Sequence, residues 1–127
     1  MIQRETFKLS IIIPCYNEKK TIDIILDRID QSLKTYKIFN YEILIVDDSS
    51  NDGTKEILKN LSNNEKVKIY FHDINLGKGA AIQTALSYAT GDITIVQDAD
   101  LEYDPFDYDK LLLPFFETNA DVVYGSR

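Results

Sequence analysis

The sequence predicts a doubly wound α/β domain, a mostly parallel sheet with helices on both faces. Short runs rich in Ile and Val alternate with segments whose apolar residues recur at helical spacing. No hairpin dipeptide joins one apolar run to the next, so neighbouring strands need crossover helices. Buried parallel strands read as near-continuous apolar runs, and these do. Right-handed crossovers then place a ligand at the carboxyl ends of the strands.

LSIII (9–13) is the first strand, stopped by Pro14. Asn17 serves as an N-cap for a helix whose apolar positions, Ile22, Ile25, Leu26, Ile29 and Leu33, fall on one face. YEILIV (41–46) is the second strand and runs into the acidic turn DDSSNDGT. Ile57, Leu58 and Leu61 mark a short helix, and VKIYF (67–71) a third strand. After HDINLGKG a helix from about Gly79 to Ala89 presents Ala81, Ala85 and Ala89 as a small face for close packing, with Gly91 as its C-terminal cap. DITIV (92–96) is the fourth strand. Asp104 and Pro105 open another helix that Pro114 ends, with Asp107 in its first turn, and DVVYG (121–125) is the fifth strand.

Composition narrows the function classes. Fourteen basic against twenty-one acidic residues give a net charge of −7 over 127 residues. With 44% hydrophobic and 28% charged residues, this suits one globular domain with a real core. An acidic chain without a basic run does not grip nucleic-acid backbones. Cys15 stands alone, which excludes an internal disulfide and a cysteine metal site and suits a reducing setting, in the cytoplasm or at the cytoplasmic face of a membrane. The lone His72 excludes a multi-histidine zinc site. MIQRETFKLS has no apolar h-region, so no signal peptide is expected. The longest apolar runs, Ile11 to Ile13 and Ile43 to Val46, are too short to span a bilayer.

Polar residues gather just past each strand. Asp98 and Asp100 alternate about Ala99, so in an extended backbone both carboxylates face one side. Hard oxygen ligands of this kind suit Mg²⁺ or Mn²⁺ bound together with substrate phosphates. A solvated acidic turn has the same local sequence, and Glu102 with the strand context makes the metal reading competitive with it. Asp47 and Asp48 fit either a turn or acceptance of a nucleobase N–H. LGKG (76–79) fits either a glycine turn or a diphosphate cradle at a helix start. Tyr16 either stacks on a base or covers the sheet edge. Cys15 suits a small buried residue, and His72 a local hydrogen bond rather than acid–base work. Two nucleotide folds fail. PCYNEKK stands where a dinucleotide fold needs G-x-G-x-x-G, and the acidic pair follows strand two rather than strand one as in response-regulator receivers.

The ordered series SIIIPCYNE, EILIVDDSSNDGT, NLGKGAA and GDITIVQDADLEYDP, closing with DVVYGSR, resembles the family 2 glycosyltransferases of GT-A fold. QDADLEYDP followed by a short helix and GSR resembles the dolichyl- and polyprenyl-phosphate hexosyltransferase branch. The resemblance runs from Leu9 to Arg127. It implies an inverting, metal-dependent transfer of a hexose from a UDP-glucose- or GDP-mannose-type donor to a polyprenyl or dolichyl phosphate. It implies that Pro14, Tyr16 and Glu18 line the nucleotide pocket, with Asp47 and Asp48 near base and ribose and Gly77 and Lys78 along the donor. Asp98 and Asp100, with Glu102, would hold the Mg or Mn ion, and Arg127 would meet the acceptor phosphate. A phosphate nucleophile is largely ionised at neutral pH and needs no strong base, and the chain offers no convincing one. The competing reading is a nucleotide-sugar-binding or interaction module of the same fold without turnover. Family domains continue past the GSR strand, so the acceptor side is expected to be mostly missing. Self-association or a partner chain would then complete it.

Overall fold

A computed structural model describes residues 7–61 and 63–99, together with the backbone of 122–124. The elements follow in the order β1 (Leu9–Cys15), α1 (Ile22–Thr35), β2 (Tyr41–Asp47), α2 (Thr54–Asn60), β3 (Val67–Phe71), α3 (Lys78–Tyr88), β4 (Ile93–Val96) and β5 (Val122–Tyr124). Among these residues the strands form one parallel sheet in the order β3-β2-β1-β4-β5. The chain winds outward from β1 through β2 to β3, then crosses back to β4 on the other side of β1. The direction of winding therefore reverses at β1 and β4, where a doubly wound sheet opens a crevice.

Period-two alternation decides what each face meets. Leu9, Ile11, Ile13, Ile43, Ile45, Ile93 and Ile95 pack with Ile22, Ile25, Ile29 and Leu33 of α1 and Leu58 of α2. Ile12, Leu44, Val46 and Val96 point the other way, onto Ala81, Ile82 and Ala85 of α3. The alanine face lets α3 lie close to the sheet, and Ala89 joins that cluster at its margin. Each fully buried Leu or Ile contributes about 1.5–3 kcal/mol. An exposed pair such as Lys34–Asp30 on α1, at 3.0 Å, is screened by water and contributes far less. Burial therefore holds the layers together.

Three local expectations fail for identifiable reasons. Pro14 does not stop β1, which continues to Cys15 with Pro14 opposite Val46. Its missing N–H faces the β4 side, where pairing has already ended at Ile12 opposite Val96. Asn17 does not cap α1. Its backbone is left-handed (φ 53°), and its side-chain oxygen accepts the Asn51 N–H at 2.9 Å in the neighbouring loop. Thr21 takes the N-cap position instead. Gly91 does not cap α3 either, because Ala89 ends that helix in an extended conformation. The helix expected after Asp104 lies outside the described residues.

Gly91 serves close approach. A Cβ there would stand 2.5 Å from Ser10 Oγ, 2.8 Å from Ser10 N and 2.9 Å from Lys8 O. Two of those neighbours are backbone and cannot step aside cheaply. Gly91→Ala should destabilise the domain by about 2 kcal/mol or more, read as a lowered urea midpoint with an unchanged slope. An unchanged midpoint would show that this edge of the sheet yields easily.

Candidate functional site

At the carboxyl ends of β1, β2 and β4 lies an open pocket of about 460 Å³. Pro14, Tyr16 and Glu18 line it from the β1 side, Asp48 from β2, Gly77, Lys78 and Ala81 from the start of α3, and Asp98 and Ala99 from β4. Seven of the residues singled out in the sequence thus stand around one cavity. Tyr16 is half exposed at the rim, with its ring available to a ligand. No helix among the described residues is long and apolar enough to cross a membrane.

The β1–α1 and β2–α2 loops are fastened to each other beneath this rim. The Asn17 N–H donates to Ser50 Oγ (2.8 Å), the Glu18 N–H to Thr54 Oγ1 (3.1 Å) and the Lys19 N–H to Asp52 Oδ2 (3.3 Å). Thr21 Oγ1 lies 2.6 Å from the Ala99 carbonyl and 2.9 Å from Glu18 Oε2, tying the end of β4 to the same loop. Asp47 belongs to this fastening. Its fully buried carboxylate accepts the Ser50 hydroxyl and the Ser50 N–H (3.0 Å), and it does not line the pocket.

Asp48 faces the opposite way and organises the loop before α3. Its Oδ1 accepts the Leu76 N–H at 2.8 Å and lies 2.9 Å from His72 Nδ1, while Oδ2 accepts the Gly77 N–H at 2.8 Å. Burial alone would raise its carboxyl pKa, yet these bonds from Leu76, His72 and Gly77 hold it below the ordinary carboxylate value. An ionised Asp48 needs the proton on His72 Nδ1, and the other ring nitrogen, Nε2, lies 2.8 Å from the Thr84 hydroxyl. Gly77 (φ 99°, ψ 162°) adopts a backbone region essentially closed to other residues, and this turn aims two successive N–H groups at Asp48.

Lys78 and Asp98 meet across the pocket at 2.5 Å, the lysine more than half exposed and the carboxylate nearly buried. Cys15 also borders the cavity. Burial, followed by the charges of Asp47, Glu18 and Asp52, pushes its thiol up to about 12, so without a metal ion it stays protonated at neutral pH.

Comparison with known proteins gives this arrangement its context. The family model described as glycosyl transferase family 2 matches residues 10–127. The chain belongs to glycosyl transferase family 2. A dolichol-phosphate mannosyltransferase of Pyrococcus furiosus is 37% identical over 94% of this chain and 33% of its own length. A mannosyltransferase of Pyrobaculum calidifontis, solved in complex with GDP-Man and Mn²⁺, is 30% identical with a TM-score of 0.67, over 78% of this chain and 29% of that one. S. aureus TarS 1-349, in complex with UDP-GlcNAc, is 29% identical with the same TM-score, over 87% of this chain and 31% of that one. The chain thus spans about a third of the length of the relatives it matches.

In this family 2 domain the proposed metal ligands divide. Asp98 offers a hard, nearly buried oxygen at the cavity wall, whereas Asp100 and Glu102, like the acceptor-side Arg127, lie outside the described residues. Among the described residues no cluster of three ligating side chains occurs. One carboxylate still fits a hard ion that keeps several waters and shares substrate phosphates. Asn75, one of the polar residues just past the third strand, lines the cavity and donates to the Asp48 carbonyl at 3.3 Å. His72 makes hydrogen bonds as its sequence context suggests, and one of them braces Asp48. Strand parity could have separated Asp48 from Asp47, since even-numbered β2 residues face α3 and the pocket.

Proposed function

We propose that this domain binds the nucleoside diphosphate-sugar donor of an inverting hexosyltransferase whose acceptor is a polyprenyl or dolichyl phosphate. The observation that supports it most is the cavity that brings Asp48, Lys78 and Asp98 together where the winding of the sheet reverses. Tyr16 and Asp48 hold the base end, Gly77 and Lys78 run along the diphosphate, and Asp98, with Asp100 and Glu102, takes a Mg²⁺ or Mn²⁺ ion. That ion, when bound, supplies Lewis-acid stabilisation to the leaving diphosphate. Lys78 releases Asp98 and turns its ammonium toward the phosphate oxygens. Arg127 orients the acceptor phosphate, which attacks the anomeric carbon from the face opposite the leaving group. No side chain has to remove a proton from a nucleophile that is already ionised.

The direct test is release of nucleoside diphosphate from UDP-glucose and GDP-mannose, with and without a polyprenyl phosphate. Release that depends on the lipid phosphate supports the transferase, and tight donor binding without release supports a donor-binding module. Excess EDTA should abolish donor binding in calorimetry. Undiminished affinity there would remove the metal from this account.

A further inference from the structure

The relatives leave the base open, since one was solved with GDP-Man and another with UDP-GlcNAc. The hydrogen bonding of Asp48 bears on that choice. An ionised carboxylate has about four acceptor positions, two on each oxygen. Among the described residues Oδ1 receives both the Leu76 N–H and the His72 Nδ1–H, which fills it. Oδ2 receives the Gly77 N–H and retains one position. These donors are fixed: two are backbone groups set by the Gly77 turn, and His72 is itself anchored on Thr84.

Guanine presents two adjacent donors, the ring N1–H and the exocyclic amine, and a carboxylate reads both only by offering both oxygens. Uracil presents one donor, N3–H, between two carbonyls. The other carboxylates of the cavity stand at different strand ends and have neighbours of their own, Glu18 beside Thr21 and Asp98 beside Lys78. We infer that the donor site, on the reading proposed above, takes a uracil rather than a guanine nucleotide, because Asp48 has a single acceptor position left to offer. A guanine seated there would keep one of its two donors without a carboxylate acceptor, which weakens binding by about tenfold.

Calorimetric titration of the full chain with UDP, GDP and N3-methyl-UDP in the presence of Mn²⁺ tests this. UDP should bind at least about tenfold more tightly than GDP, and methylation of N3 should cost a similar factor by removing the one donor Asp48 can accept. GDP binding as tightly as UDP, or N3-methyl-UDP matching UDP, overturns the inference while leaving a nucleotide site in place. Failure of all three ligands to bind would instead remove the donor-site reading on which it rests.

Discussion

On the transferase reading proposed above, replacing Asp98 by Asn should lower turnover by about 10²–10³-fold while leaving the fold intact. The side chain keeps its shape but loses the charge that faces Lys78 and, on the proposed mechanism, the divalent ion. Its stability cost should be small. Lys78 is more than half exposed and regains water when its partner goes, and a nearly buried carboxylate exchanged for an amide no longer carries a desolvation penalty. Single-turnover kinetics at saturating donor, alongside a thermal melt, separate the two effects. Near-normal turnover with an unchanged melting temperature would make the carboxylate incidental. Lost turnover with a collapsed fold would point to a structural part that its surroundings do not suggest.

Glu42→Gln should produce the largest loss of stability, far from the pocket at the amino edge of the sheet. Glu42 is 2% exposed and accepts from Ser10 Oγ (2.7 Å), the Thr90 N–H (2.7 Å) and Lys68 Nζ (2.9 Å), with Lys8 Nζ 3.6 Å away. The Thr90 N–H on one oxygen and the Lys68 and Lys8 ammonium groups on the other can only donate, so an amide in either orientation directs one of its own donors at another. The expected cost is about 2–4 kcal/mol, or a fall in Tm on the order of 10 °C. Burial would raise the Glu42 carboxyl pKa, but the bonds from Thr90, Ser10 and Lys68 and the charge of Lys8 hold it at about 2, below the ordinary 4.5. A depressed folded-state value means the stabilisation is complete above pH 4.5 and is lost as pH falls toward 2, about 3 kcal/mol in all. The gap between wild type and variant in urea unfolding should therefore close across that acid window. A gap independent of pH would show that the carboxylate's charge contributes little.

Much of the layering was legible because it follows from periodicity. Ile22, Ile25, Ile29 and Leu33 advertise a helix face, and the Ile-rich runs advertise strands buried on both sides. What connects the elements was harder to read. Asn17 has the residue type of an N-cap, yet its side chain reaches a loop 34 residues away. Nothing local records that partner. Asp47 and Asp48 are chemically identical and adjacent, and only the strand's alternation sends one into a turn and the other to the cavity wall. Glu42 stands within the YEILIV run with nothing local to set it apart. It becomes a buried anchor only when Ser10, Lys68 and Thr90 arrive from three other segments. The motif residues were easier, because they follow strand ends and parallel strands end on the same side.

The lashing of the β1–α1 loop to its neighbour relies on the main-chain N–H groups of residues 17, 18 and 19. Most of the strain of holding the rim in place thus falls on atoms that every non-proline residue possesses. The Tyr16 side chain is no part of that frame. It can be exchanged with little penalty to the architecture underneath. A domain fastened in this manner can diversify what it recognises faster than how it folds.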